Sequence, residues 1–309
     1  MSTDPAPAAR RVSLGIVYLV AACHLAMVSF NYLIVKVGLN QFGVFPFASL
    51  RFLISSAALW TALSVRGYRP LARTDWKAMW WLALVAIPLN QLPYLFAMQR
   101  VPPEHGALIY ATTPIWVLIV ARLLLGEPIT PQKLIGIPLA FLGVCLVFFE
   151  RGVTFNDTLM GDCILVFGVI GWALYTVQGK PMSEKFGALQ ATTLAISLGT
   201  VMCLPAMPFV LRDVHWSAIT PLGWVSLGYM ALVTSALAYT IWYWLMNQLE
   251  TSKVAVLQNL QPVFTMGWTL LMTTMGYAAT FNLEQHAITP IFLTGAVLTL
   301  AGVLITQRG

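Results

Sequence analysis

Two prolines lie inside long apolar stretches of the sequence, each one helical turn after a residue that can hydrogen-bond. Tyr110 precedes Pro114, and Gln258 precedes Pro262. In an apolar helix a proline frees a backbone carbonyl, which other protein groups or cavity water must then satisfy. The two pairs therefore predict helix breaks beside which a polar solute could bind. Kinks that packing alone tolerates are the other interpretation.

Aromatic and polar residues recur around these prolines at helical spacing. Residues three or four positions apart share one face of a helix. The pairs are Asn90 with Tyr94, Trp172 with Tyr175, and Tyr239 with Trp242. Rings with a polar edge suit a solute that has an apolar body and polar ends, so these residues are candidates for substrate binding. Interhelical hydrogen bonds and an aromatic belt at the membrane surface are the alternative for each residue taken singly.

Two residues could carry charge inside apolar stretches. His24 can titrate near neutral pH, which makes it a candidate for contacting the solute or sensing protons, with simple packing as the alternative. Arg51 interrupts an otherwise uncharged stretch. We expect its long stem to reach the nearby membrane surface, where the guanidinium would act as an anchor.

Catalytic motifs do not accompany these residues. The sequence contains no HExxH, no GxSxG, no Walker motif and no pair of carboxylates within an apolar stretch. Its four cysteines lack the paired spacing of a metal or redox site. We therefore expect no enzymatic activity, no cofactor and no metal site.

The elements that must position the candidate residues are apolar helices. Hydrophobic residues make up 59% of the chain and charged residues 9%, whereas soluble domains contain about 25% charged residues. A membrane span needs about 20 mainly apolar residues. Nine stretches lack Asp, Glu, Lys and Arg: 12–35, 78–99, 105–121, 134–149, 163–179, 186–211, 214–249, 254–283 and 285–307. A tenth, 37–65, contains only Arg51, so the sequence predicts an all-α membrane protein with ten transmembrane helices.

Basic residues alternate between the connections in a way that predicts orientation, because Lys and Arg accumulate in short cytoplasmic loops. Twelve fall on one side: Arg10, Arg11, Arg66, Arg69, Arg73, Lys77, Arg122, Lys133, Lys180, Lys185, Lys253 and Arg308. Four fall on the other: Lys36, Arg100, Arg151 and Arg212. Both termini should then be cytoplasmic, in a plasma membrane of the bacterial inner-membrane type. The net charge of +6 reflects this bias, so we expect membrane lipid and a small-molecule substrate as partners, and no nucleic acid.

The two halves of the chain repeat each other. Ala83, Leu84, Val85, Leu89, Met98, Ala107 and Pro114 recur 148 residues later as Ala231, Leu232, Val233, Leu237, Met246, Ala255 and Pro262. Leu134, Gly136, Leu139, Gly143 and Val144 recur 159 residues later as Leu293, Gly295, Leu298, Gly302 and Val303. We therefore expect a tail at 1–11 and repeats of five helices at 12–150 and 151–309. An odd number of spans inverts the second repeat relative to the first, an architecture that suits alternating access to a midplane site.

The repeated segments resemble a known family. ALVTSALAYTIWYWLMNQLETSKVAVLQNLQPVF in the second half, with ALIYATTPIWVLIVARLLLGEPIT and GIPLAFLGVCLVF in the first, resemble EamA domains of the drug/metabolite transporter superfamily. The resemblance implies a ten-helix exporter or permease of metabolites, similar to aromatic amino-acid exporters. Gly171-Trp172 follows the family pattern in helix 6, whereas Val28-Ser29 replaces the Trp-Gly that many members carry in helix 1.

Together these features predict a transporter that moves small organic metabolites out of the cell by alternating access, with amino acids, aromatic ones included, as the expected class. All eleven acidic residues lie in connections or at helix ends, so a facilitator or a weakly coupled secondary transporter is expected. A channel or a non-transporting membrane scaffold is the alternative, although a channel more naturally has a charged ring or a filter loop. The glycines at the repeated positions fit close packing within one chain or between protomers, and a monomer is compatible with the pattern.

Overall fold

The computed structural model describes residues 12–98, 100, 109–150, 159–277, 280–281 and 289–309, without the side chains of 147–150. Within these ranges the chain is helical and contains no strand, as predicted. Ten helices cross the bundle: α1 (Leu14–Phe42), α2 (Val44–Arg66), α3 (Arg73–Met98), α4 (Thr113–Leu125), α5 (Pro131–Glu150), α6 (Leu159–Phe186), α7 (Ala188–Val210), α8 (Pro221–Met246), α9 (251–274) and α10 (Pro290–Arg308).

The surface of the bundle is apolar and part of its interior is polar. Seven of the described helices, all but α4, α5 and α9, are long and apolar enough to cross a membrane. Large apolar side chains such as Leu123, Leu142 and Val297 point outward and are more than half exposed. Asn90 and Arg51 are buried instead. This inside-out distribution is that of an integral membrane protein, in which lipid replaces water around the outer faces.

Helix α1 is longer than the uncharged stretch predicted. It continues through Lys36 to Phe42, where Gly43 ends it with a positive φ of 76°. The same one-residue connection joins α6 to α7, because Gly187 has φ 87°. Glycine adopts this conformation without the steric penalty that a Cβ brings. The two repeats therefore share a turn between their first and second helices that the sequence comparison missed.

Helix contacts follow a pseudo-twofold relation between the repeats. Exchanging each helix with the one five positions later converts the α4–α6 contact into α9–α1, and α3–α6 into α8–α1. It also converts α3–α7 into α8–α2, while α2–α7 and α5–α10 map onto themselves. The fold is therefore the predicted pair of inverted five-helix repeats, and helices from different repeats pack together across the centre.

Helices α5 and α10 touch backbone to backbone. A Cβ at Gly302 would lie 2.5 Å from the carbonyl oxygen of Gly136, and one at Gly143 would lie 2.5 Å from that of Gly295. Thr299 Oγ1 adds a hydrogen bond to the Ala140 carbonyl at 3.4 Å. The repeated glycines thus serve packing between two helices of the same chain, which selects one of the two alternatives left open by the sequence.

A side chain at Gly302 should separate these helices. We expect Gly302→Leu to destabilise the protein by about 1–3 kcal/mol, the usual penalty of overpacking. The measurement is the melting temperature of the purified protein in detergent. Gly267→Leu in α9 is the matched control, because among the described residues no atom beyond its own turn of helix lies within 4 Å of a Cβ placed there. Equal melting temperatures for the two variants would contradict the proposed role of this contact.

Candidate functional site

The helix breaks lie at the two repeated prolines. In the first repeat the described helical residues 109–110 end in a turn, and α4 then starts at Thr113 with Pro114 in its first turn. In the second repeat α9 narrows to a 3₁₀ turn at Gln258–Leu260 and resumes at Gln261, with Pro262 in the first turn. Proline is tolerated there because its missing N–H would have no partner anyway. Both repeats therefore place a break at the same register.

Helices α3 and α8 carry a second pair of irregularities. Both widen into π-helix, α3 at Ile87–Gln91 beside its prolines and α8 at Tyr229–Ala238 without any proline. Such segments are rare and frequently lie at functional sites. Gly171 of α6 fits against the first segment, since a Cβ there would lie 2.7 Å from the Leu89 carbonyl oxygen. This close approach carries the next residue, Trp172, toward the centre of the bundle.

Five of the predicted site residues form one aromatic cluster. Trp172 lies 5.4–5.5 Å, ring centre to ring centre, from Tyr175, Tyr239 and Trp242. His24 of α1 stacks on Trp242, with ring centres 5.5 Å apart. These rings come from α1, α6 and α8, and all five side chains are buried.

Three other predicted residues form a second, more polar group. Asn90 Nδ2 donates to the Tyr110 hydroxyl at 3.1 Å and to the Gly168 carbonyl at 2.8 Å. Tyr94 packs edge-on against Tyr110, with ring centres 5.3 Å apart. Tyr110, which lies before α4, is thereby joined through Asn90 to α6, beside the π segment of α3.

The expected position of Arg51 is wrong. Instead of reaching the membrane surface, the side chain is 1% exposed and points into the bundle. The face of α2 that carries it packs on α8, since Ser55, one turn later, donates to the Ala231 carbonyl at 2.9 Å. Arg51 Nε donates to Ser235 Oγ at 2.6 Å.

Arg51 joins the two groups of site residues. The side chains of Tyr94, Tyr110 and Tyr239 all lie in the neighbourhood of its guanidinium. We call the space bounded by Arg51, Tyr94, Tyr110, Trp172 and Tyr239 the central chamber. The sequence could have identified Arg51 as a site residue, because it is the one charge in an otherwise uncharged span. A charge at such a position is a candidate functional group by default.

The second break presents two neighbouring amide side chains, the predicted Gln258 and the Asn259 that follows it. Gln258 is only half-buried, whereas Asn259 in the same 3₁₀ turn is fully buried. Within the described part of the chain neither the Nδ2 nor the Oδ1 of Asn259 has a hydrogen-bond partner. Sequence spacing placed a polar amide at this break, but the tighter turn rotates the next residue inward.

Several buried polar atoms around the chamber also lack hydrogen-bond partners among the described residues. They are Nδ1 of His24, Oδ1 of Asn31, Nη1 of Arg51, Oε1 of Gln91, Nε1 of Trp172 and the hydroxyls of Tyr94 and Tyr175. A buried polar group without a partner typically destabilises a protein by about 1–3 kcal/mol. So many in one place indicate a space filled by water or by a polar ligand.

A separate groove of about 430 Å³ lies on the outside of α2, α3 and α6. Its lining, which includes Phe45, Pro93 and Phe167, is apolar apart from Cys163. Phe45 and Phe167 are about half exposed on the outer surface of the bundle. Apart from the weakly polar Cys163 thiol, the groove offers an apolar surface to a solute, so we place the candidate site in the central chamber.

One end of the bundle is closed by a polar network, the basic latch. Glu127, after α4, accepts hydrogen bonds from the backbone N–H of Thr251 at 2.9 Å and from Lys180 Nζ at 3.3 Å. Lys133 pairs with Glu250, and Lys185 pairs with Asp75 at 2.6 Å. Residues near both described chain ends meet at this end as well, since the Tyr18 hydroxyl donates to Gln307 Oε1 at 3.1 Å.

Comparison with known proteins places the chain among membrane transporters. The model of the EamA-like transporter family matches residues 14–149 and again 159–307. A relative from Archaeoglobus fulgidus, named an uncharacterized transporter, is 28% identical over 89% of this chain and 92% of its own length. The Escherichia coli inner membrane transporter YedA, likewise named uncharacterized, is 24% identical over 90% of this chain and 89% of its own. A crystal structure with a TM-score of 0.72 and 16% identity covers 96% of this chain and 98% of its own, which shows the same fold.

The basic latch should make stability depend on the charge of Glu127. Burial alone would raise the pKa of this carboxyl, but hydrogen bonds from Thr251 and the neighbouring Lys180 ammonium hold it below its usual value. A lowered folded-state pKa contributes stability that is present above the ordinary glutamate pKa and is lost as the pH falls through the folded one. We expect Glu127→Gln to lower the melting temperature near neutral pH, by an amount that shrinks in acid.

The measurement is the melting temperature of the wild type and of Glu127→Gln in detergent at several pH values. Glu184→Gln on α6 is the control, because this side chain is exposed and forms no ion pair within the described structure. A difference between Glu127→Gln and the wild type that stays constant with pH would contradict the electrostatic role of the latch.

Proposed function

The chain belongs to the EamA-like transporter family, and from this premise we propose that it moves small organic metabolites, aromatic amino acids among them, out of the cell. The observation that carries the proposal is the central chamber. Buried aromatic rings there lie near polar atoms that have no hydrogen-bond partner among the described residues, a combination suited to a solute with an apolar body and polar ends. The family consists of transporters rather than enzymes, in agreement with the lack of catalytic motifs.

Alternating access fits the inverted repeats. The chamber lies where helices of both repeats meet, and rocking one repeat against the other would expose it to either side. The basic latch joins the first repeat to the second through Glu127, Lys180 and Thr251, so opening that end requires these contacts to break. The excess of Lys and Arg places the latch, and with it both termini, on the cytoplasmic side in this proposal.

Saturable flux of an aromatic amino acid is the first expected outcome. Purified protein in liposomes should exchange labelled L-phenylalanine at a rate that saturates as its concentration rises. Unlabelled L-tryptophan should compete with this exchange. Trp172→Ala and Tyr239→Ala should each weaken apparent affinity about two- to tenfold, since each removes aromatic contacts of about 0.5–1.5 kcal/mol.

Trp80→Ala is the matched control for these variants, because this tryptophan is 40% exposed on the outer surface of α3. Its half-saturation should equal that of the wild type. Flux that rises linearly with concentration and is not competed would favour a channel. Unchanged half-saturation in both chamber variants would reject the aromatic binding site.

Flux should follow the gradient of the substrate itself. His24 is the titratable candidate in the described part of the chamber, and the ion-paired carboxylates described above lie at the latch. Uptake should therefore continue with equal pH on both sides and no sodium. Accumulation above the external concentration when a pH gradient is imposed, abolished by His24→Gln, would instead make His24 the coupling residue.

A further inference from the structure

Arg51 is a cation buried at the centre of a membrane bundle without a described counter-charge. It lies seven residues into α2, about 10 Å along the helix from its start at Val44. The described ion-paired carboxylates, Asp75, Glu127 and Glu250, all bind lysines of the basic latch. Within the described residues no carboxylate lies in ion-pair range of Arg51. A buried charge is strongly unfavourable unless it is paired and hydrogen-bonded.

Only part of the hydrogen-bonding capacity of the Arg51 guanidinium is used by the described residues. Ser235 Oγ accepts from Arg51 Nε because its own hydroxyl hydrogen is donated to the Met230 carbonyl at 2.9 Å. That second bond spans five residues of the π segment, so the irregular helix orients the acceptor for Arg51. Nη1 remains buried and has no partner in the described part of the chain. An Arg fork with a free N–H is suited to planar anions such as carboxylate.

The residues around Arg51 indicate what the rest of the ligand, beyond its anionic group, should look like. The hydroxyls of Tyr94, Tyr110 and Tyr239 lie around the guanidinium, and Tyr239 connects it to the ring of Trp172 at 5.4 Å. A ligand that placed a carboxylate on Arg51 would therefore extend its other end over aromatic rings. Asn31 Oδ1, near the Tyr94 hydroxyl, is a further acceptor without a described partner and could receive an ammonium group.

We propose that Arg51 binds the carboxylate of the transported solute, which makes the substrate class organic carboxylates with an apolar or aromatic body. This inference rests on the proposed function, because it assigns the anion to the solute of the central chamber. It also explains why an uncompensated cation is retained there: the counter-charge arrives with the substrate. Arg51 then selects against amines and esters that have the same body but no carboxylate.

The test varies the ligand before the protein, so that it does not depend on the folding of a variant. Thermal stability of the wild type in detergent is measured with L-phenylalanine, 3-phenylpropionate, L-phenylalanine methyl ester and phenethylamine. Ligands that bind the native state raise its melting temperature. We expect the two carboxylates to stabilise, and the ester and the amine to bind at least about tenfold more weakly, as befits the loss of a charged hydrogen bond.

Protein variants then assign the effect to Arg51. Arg51→Gln should remove the preference for carboxylates, and Arg51→Lys, which keeps the charge, should retain part of it. Lys133→Gln is the control, since it removes another fully buried cation at the latch and should leave the preference intact. If Arg51→Gln does not fold, the ligand series on the wild type together with Arg51→Lys still decides.

Each outcome separates this inference from the proposed function. Equal stabilisation by the acid and its ester would overturn the role of Arg51 while leaving an aromatic solute in place. Succinate, a carboxylate without an aromatic ring, is tested in parallel to detect an anion site that does not bind aromatic solutes. Stabilisation by succinate that requires Arg51, without stabilisation by any aromatic probe, would support the anion site and reject the aromatic substrate. Stabilisation by none of the carboxylates would overturn the inference.

Discussion

Polar groups inside a lipid-facing bundle must find partners within the protein, because the surrounding hydrocarbon supplies none. The backbone meets this demand by forming helices. Where helices α3, α4, α8 and α9 depart from regular geometry, neighbouring side chains supply the missing hydrogen bonds, as when the Ser55 hydroxyl donates to the Ala231 carbonyl. Among the described residues, most of the buried polar atoms without a hydrogen-bond partner belong to side chains around Arg51. The requirement is thus met least completely at the candidate site.

The inverted repeats explain why the incomplete place is central. Each repeat brings one π segment and one proline break, and the contacts between repeats set α3 against α6 and α8 against α1. His24 from α1 and Trp242 from α8 therefore meet at 5.5 Å although they belong to different repeats. The glycines of α5 and α10 hold the far edges of both repeats together and leave the irregular helices around the centre.

The repeats are not symmetric in their chemistry. Arg51 on α2 has no basic counterpart on α7, and Glu127 after α4 has no acidic counterpart at the corresponding end of α9. One residue charges the chamber and the other joins the repeats at a single end. A symmetric scaffold thereby acquires a direction, since its two ends are closed by different interactions. Transport by rocking requires such a scaffold to be stable in two arrangements, and polar contacts at an end can break and re-form more readily than a packed core.

Composition and periodicity alone determined the membrane environment, the ten helices, the inverted repeats and the breaks at Pro114 and Pro262. Each of these features follows from a short stretch of sequence or from comparing one half of the sequence with the other. They also singled out eight side chains that the fold brings together around the chamber. Only the tertiary structure decided which way Arg51 faces, that Asn259 rather than Gln258 is buried at the second break, and that α8 widens without a proline. The physical reason is that the face a helix presents inward depends on the helices packed against it, and those contacts join residues from opposite halves of the chain.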